Sequence, residues 1–406
     1  MTILSRFQQG SAASAQFVTF RPRWRYCKGF TLVELMVSIA VLTVILLVLV
    51  TVTSQTSSIW HSTTAKVEEF RDARTAFEAM TTRLAQATLN TYWDYDNPTA
   101  PTRFERRSEL RFISGSSAKL LASTPIAASA STHCIFFQAP FGVTVATAPG
   151  ATALKYDGFE NLLCSWGYYL NYDSDLSYRP PIFPPGILPL RYRYRLMELW
   201  QPAEQNEIYA HTSGLGPKGP AARTYNGLEW FTNSIAASKP VQARVLAENV
   251  IALVLTPRLS PQDETAIKGA LTSANADLSP LAPNYLYDTA PPSASGASDS
   301  RYNDPRLDPL NQLPPLVQVT MVAIDEASAL RMNFSAGTHA TDPFSLTKKF
   351  QDSSQYSNDL LLEPTGSSAD NATSLEYSLI HLKLNYRIFS TNVMIRGAKW
   401  SRSQTK

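Results

Sequence analysis

The eighteen residues from Leu35 to Val52 carry no charge, and their only polar side chains are Ser38, Thr43 and Thr51. A hydrocarbon core about 30 Å thick takes roughly 17–25 residues of helix, so this stretch reads as a membrane span. Arg21, Arg23, Arg25 and Lys28 stand just before it. Such cations hold their flank in the cytoplasm and send the bulk of the chain outside. A secretory signal peptide has a shorter apolar region of about 7–15 residues and small residues at its cut. Here the run is longer, and Thr51 to Ser58 offers no convincing cut of that kind. An uncleaved signal anchor fits length and charge but leaves Glu34 unexplained. A charge at the centre of a membrane helix costs roughly 2.5–3.5 kcal/mol on insertion scales, less near an interface, and such residues usually have a partner and a task.

No Gly or Pro occurs between Phe30 and Asn97, so nothing forces a helix break there. After the apolar run, Val67, Phe70, Ala73, Phe77, Met80, Leu84 and Ala87 recur at steps of three and four. Lys66, Glu68, Glu69, Arg71, Asp72 and Arg83 fill the positions between them. One helix from Phe30 to about Leu89 is predicted, roughly 90 Å long at 1.5 Å per residue. Its first part suits lipid and its second part suits one face of a folded head. The polar and β-branched residues from Ser54 to Thr64 are weak helix formers, and a local break is conceivable there.

Lys28-Gly29-Phe30-Thr31-Leu32-Val33-Glu34-Leu35-Met36 resembles the cleavage motif of type IV prepilins and type II secretion pseudopilins. The resemblance implies cleavage between Gly29 and Phe30 by a prepilin peptidase, and methylation of the new Phe30 amine. It implies that Glu34 meets the N-terminal amine of a neighbouring subunit as helices bundle into a filament. Such a pair at ~4 Å is worth up to about 4 kcal/mol at an effective dielectric near 20. Arg25 and Lys28 supply leader charge. Thr51 stands where major pilins commonly carry a helix-kinking proline. The partners implied are the peptidase, other pilin or pseudopilin subunits, an inner-membrane assembly platform and the lipid bilayer. The place implied is the inner membrane, single-pass, with a periplasmic head.

The expected organisation follows: residues 1–29 a removable leader, 30–53 the span, 54–97 the periplasmic continuation of the helix, and 98–406 a β-rich head. The fold class is α+β, pilin-like, with the long helix packed on an antiparallel sheet carrying large loop insertions. Strands are expected at 109–113, 134–138, 165–170, 191–200, 250–256, 316–324 and from Asn385 to near Ile395. A helix is expected over 374–384. The prolines at 179–189, the Ser, Ala and Pro of 260–315, and 337–370 read as loops, the middle one an inserted or partly disordered excursion. Arg244 to Val250, Arg387 to Thr391 and Val393 to Arg396 resemble larger minor pilins of the PilW and pseudopilin J type. Arg396 to Ser401 resembles the Verru_Chthon cassette protein C family.

Beyond the apolar run the chain holds two cysteines, Cys134 and Cys164. A disulfide would suit an oxidising periplasm, and two free buried thiols are an equal alternative. The net charge of +3 is small for 406 residues and does not suggest a nucleic-acid binder. Arg191-Tyr192-Arg193-Tyr194-Arg195 could grip single-stranded DNA, but an amphipathic strand with Tyr192, Tyr194 and Leu196 inward and wet arginines is preferred. Gly214 to Gly219 fits GxGxxG without the strand and helix that a dinucleotide site needs. His61, His133, His211, His339 and His381 lack metal-ligand spacing. The clusters Asp94, Asp96, Asn97 and Asp173, Asp175 read as solvated loops rather than calcium ligands. No cofactor and no enzymatic activity are expected. The competing class is a signal-anchored periplasmic enzyme or ligand-binding protein.

Overall fold

The computed structural model describes residues 31–97, 99–145, 156, 158–180, 182, 188, 190–208, 212–213, 224–225, 227–236, 243–270, 275–290, 301, 304–332, 344, 346–362 and 374–400. The chain divides into two compact units, Met1–Ser62 and Thr63–Lys406.

Helix α1 runs unbroken over Leu32–Leu84, 53 residues. The weak helix formers at 54–64 do not interrupt it. Within the first unit several of its hydroxyls bond to its own carbonyls. Thr51 donates to Leu47 and Val48, Thr53 to Leu49 at 2.7 Å and Thr56 to Val52 at 2.8 Å. Such back-bonding satisfies a hydroxyl in apolar surroundings, though it adds nothing to helix stability. Within Leu32–Trp60, the most apolar eighteen-residue window has a mean hydropathy of 3.0 and none of it is buried. The stretch has the length and composition of a membrane span.

In the second unit the same helix acquires a buried face. Ala73, Ala76, Phe77, Met80 and Leu84 join the main core at the expected three- and four-residue steps. That core lies between the helix and two antiparallel sheets. The first holds β3 (Ile113–Ser116), β4 (Ala130–Pro140), β5 (Leu163–Ser174), β6 (Tyr192–Gln201), β9 (Ala243–Glu248) and β11 (Tyr287–Asp288), in the order β11-β3-β4-β5-β6-β9. The second is β10 (Val250–Arg258), β12 (Leu316–Ile324) and β13 (Tyr386–Met394), in that order. Two short ribbons pair β1 (Tyr92–Tyr95) with β2 (Phe104–Arg107), and β7 (Thr212–Ser213) with β8 (Thr224–Tyr225). Helices α2 (Ser117–Leu120), α3 (Glu229–Ile235), α4 (Pro261–Ala270), α5 (Glu326–Met332), α6 (Tyr356–Leu360) and α7 (Leu375–His381) fill the connections. The architecture is α+β: an apolar N-terminal helix, antiparallel sheets and short helices.

The sheets are joined by side chains as well as by chain. Asn249, at φ 60, turns β9 into β10, and its amide donates to the Tyr194 carbonyl. Asparagine tolerates the left-handed region better than most residues. On β4 the ladder with β5 slips between Ser131 and Ile135, with Thr132 at φ 50. The slip sends two side chains to the free edge of β10. Leu253 N–H donates to Thr132 Oγ1 at 3.1 Å, and Leu255 N–H donates to His133 Nδ1 at 3.0 Å. His133 Nε2 lies 2.9 Å from the Phe350 carbonyl. Accepting at Nδ1 makes Nε2 the protonated nitrogen, so the ring is neutral. Full burial holds its pKa down, to about 4.

Three expectations need correcting. Residues 109–111 are not a strand, which begins at Ile113. Their amides are taken by side chains: those of Glu109 and Leu110 donate to Asn90 Oδ1 and that of Arg111 to Gln138 Oε1. The described parts of 260–315 are not an excursion. Helix α4 lies there, and Leu281, Tyr285, Tyr287, Leu307 and Leu313 are buried. Likewise Phe344, Leu346, Phe350 and Leu360, within 337–370, belong to the second core, beneath the β10-β12-β13 sheet. Apolar side chains spaced among Ser and Pro gave no period from which to read this.

Candidate processing and assembly site

Glu34 is the one ionisable residue between Leu32 and Trp60. Thr31 precedes the first turn of α1 as its cap: the Glu34 amide donates to Thr31 Oγ1 at 3.3 Å, and Leu35 N–H to the Thr31 carbonyl at 3.1 Å. The Thr31 hydroxyl makes a long contact of 3.5 Å to Glu34 Oε2. Thr-x-x-Glu is the spacing of a capping box, and a carboxylate in the first turn also meets the positive end of the helix dipole. Both effects hold the carboxylate at the start of the helix. It is exposed, and among the described residues it is paired with no cation. Gly29, Phe30, Arg25 and Lys28 lie outside the described residues.

At the far end of the same helix a different carboxylate fastens α1 to the head. Glu198 on β6 is fully buried. Its Oε1 accepts from Arg83 Nη1, from Trp166 Nε1 at 2.8 Å and from Tyr168 Oη at 3.0 Å. Its Oε2 accepts from Arg244, with Nε at 2.7 Å and Nη2 at 2.6 Å. The Arg83 guanidinium also lies 5.0 Å from the centre of the Trp166 ring. Burial, then the Glu198 charge, pushes the Tyr168 phenol up, so it stays a donor. A buried carboxylate needs such an arrangement, since an ion without partners is far too costly to desolvate.

Residues 24–50 match the prokaryotic N-terminal methylation motif. The match spans Arg25, Lys28, Gly29, Phe30 and Glu34. It supports a type IV pilin-like prepilin, implying processing by a prepilin peptidase and assembly with other pilins, and it suggests a structural subunit rather than an enzyme. No curated protein and no solved structure matches the chain.

Other sequence candidates resolve in the head. Cys134 and Cys164 are free, buried thiols. Cys164 stands opposite Ala139 on β4, five residues along that strand from Cys134, so no disulfide joins them. Burial raises both thiol pKa values, that of Cys134 to about 12. Neither is a thiolate at neutral pH.

The strand Arg191 to Arg195 has Tyr194 and Leu196 buried, as expected, and Tyr192 half-buried. Arg191 is exposed, as expected, but the other two arginines are not wet. Arg193 and Arg195 are buried, Arg193 pairing with Glu326 and Arg195 with Glu248 at 3.3 Å. Arg195 also sits 4.2 Å from the Tyr178 ring. A guanidinium committed in this way is closed to a phosphate backbone. Asp94 lies on the β1–β2 ribbon. Asp96 ties that ribbon's loop by accepting from the amides of Asn97, Thr102 and Arg103 and from the Thr102 hydroxyl. Those hydrogen bonds hold its carboxyl well below the usual range. Among the described residues no group of three or more His, Cys, Asp or Glu could hold a metal ion. Residues 214–219 lie outside the described residues.

Glu198 is the functional side chain that pattern reading missed. One signal was available: it shares strand parity with Tyr194, Leu196 and Trp200, and so lies on a face otherwise apolar or aromatic.

Proposed function

We propose that the chain is a minor pilin or pseudopilin. On this reading it is cut between Gly29 and Phe30, methylated at Phe30, and incorporated into a pilus-like or pseudopilus filament built from the inner membrane. The observation that carries the reading is the coincidence of the methylation motif with a solitary carboxylate, Glu34, at the start of an otherwise uncharged apolar helix. The amine released at Phe30 of a neighbouring subunit is the cation that Glu34 lacks. Removing 29 of 406 residues leaves 406 − 29 = 377, a bulky subunit better suited to priming or capping a filament than to repeating along its shaft. The PilW or pseudopilin J type is the finer assignment, carried by the short phrases near Arg244 and Arg387.

N-terminal mass spectrometry of the protein from cells with an active prepilin peptidase tests the reading. The expected product begins at N-methylated Phe30. A chain that keeps its basic leader in such cells rejects it, in favour of an anchored periplasmic protein.

A further inference from the structure

The two sheets of the head treat their edges differently. The outer edge of β10 is covered by Thr132 and His133, which accept its Leu253 and Leu255 amides. β11 is two residues long. β13 at the other end of the smaller sheet has nine residues, all in unbroken register with β12 from Tyr386↔Ile324 to Met394↔Leu316. Among the described residues no backbone group outside β12 pairs with it. Its exposure agrees: Arg387, Ser390, Thr391, Asn392 and Met394 are all exposed, whereas no residue of the neighbouring β12 is. Soluble proteins protect a long flat edge with a bulge, a proline, charged side chains or a covering element. Among the described residues β13 has only the single charge of Arg387 near one end.

We propose that β13 is a docking edge that takes an extended strand from a different subunit of the assembly, making the β10-β12-β13 sheet four-stranded. This rests on the subunit reading above. A row of unpaired N–H and C=O groups at strand spacing is complementary to another extended backbone and to little else. The occupant's side chains follow from the edge. Arg387 is the one charged residue on β13, and it has no carboxylate partner among the described residues. The incoming strand is therefore uncharged along most of its length, with an acid facing Arg387. A second copy is the wrong occupant. Antiparallel self-pairing needs a two-fold axis perpendicular to the sheet, and that axis would reverse the stretch of α1 from Ala73 to Leu84 packed along the core. Chains that leave one membrane in the same sense do not meet in that way.

The test uses the full-length chain in cells carrying the assembly, with the photo-crosslinking residue p-benzoylphenylalanine in place of Asn392. The expected product joins this position to an extended segment of a different chain that bears its own N-terminal methylation motif. Alternate residues of an edge strand donate inward and outward, so one of Ser390→Pro and Thr391→Pro removes an outward donor and the other a bond to β12. Ser390→Pro also removes a hydroxyl contact with Thr320, which Ser390→Ala measures by itself. The proline variant with the smaller fall in unfolding midpoint is the outward one, and relative to Ser390→Ala it should reduce the crosslink about tenfold, the loss of ~1.4 kcal/mol of pairing. A crosslink to a second copy, to a chain without the motif, or one that survives the outward proline overturns the proposal, as does no crosslink. Mass spectrometry of the mature N terminus in the same cells separates the two failures. An intact leader rejects the subunit reading, whereas a processed chain without the crosslink rejects the edge alone.

Discussion

Glu34 and Glu198 place the same side chain at the two ends of one helix's surroundings. Glu198 is enclosed, and four side chains from α1, β5 and β9 converge on its two oxygens. Glu34 stands in the open on an apolar helix, with a single long contact to the neighbouring Thr31 hydroxyl. The head therefore satisfies its acid from within the fold. The span does not, among the described residues. On the subunit reading proposed above, the difference would separate a residue kept for folding from one kept for association.

That contrast can be broken by experiment. Glu198→Ala should have the largest effect on stability. It strands Arg83, Arg244, the Trp166 N–H and the Tyr168 hydroxyl, at a cost of about 3 kcal/mol. This is the low end of the range for a broken buried pair, because Arg244 is half in water. Chemical denaturation of the head measures it, and a loss under ~1 kcal/mol would show that Glu198 is not the fastener.

Acid should have the next largest effect. His133 is held neutral with a pKa of about 4, against 6.5 when unfolded. Between those values the unfolded chain binds the proton and the folded one does not. The stabilisation is complete above pH 6.5 and is lost as pH falls towards 4, to the extent of about 3 kcal/mol. His133→Gln should flatten that part of the stability–pH curve. An unchanged curve would exclude His133 as its source.

Gly167→Ala comes third. A Cβ there would lie 2.1 Å from the Phe136 ring, which is itself stacked 3.9 Å from Phe231. Overpacking of this kind costs about 1–3 kcal/mol, readable as a lower unfolding midpoint. Last, Glu34→Ala should leave head stability within about 0.5 kcal/mol. The variant should still be processed at Phe30 yet fail to enter filaments. Normal incorporation would remove Glu34 from the assembly role.

What the sequence made legible follows the range of the interactions. The apolar run, the cation flank and the motif around Gly29 are local patterns, and α1 appears within a few residues of its expected bounds. β12 coincides with the expected 316–324, because a largely apolar, valine-rich run between Pro315 and Asp325 announces itself. α7, within the expected 374–384, was likewise a local pattern. The Glu198 cluster was hidden because its partners lie 30, 32, 46 and 115 residues away. The wet-arginine reading failed at Arg193 and Arg195 of β6 for a related reason. Strand parity says which side chains share a face, but it cannot say that Glu326 and Glu248 cover the other one. The cover on β10 was equally invisible, since it depends on one irregular step at Thr132.

The hydroxyls of α1 that bond back to its own carbonyls have a mechanical consequence. With Ser38, Thr43, Thr51 and Thr53 turned inward on the backbone, the flank of the rod from Leu35 to Thr53 is greasy throughout, and a neighbouring apolar rod would slide along it at little cost. Among the described residues of Leu32–Trp60, a lone acid at one tip is then the one graduation on an unmarked ruler. On the subunit reading proposed above, the cation that seats on it would set the axial stagger between neighbouring rods.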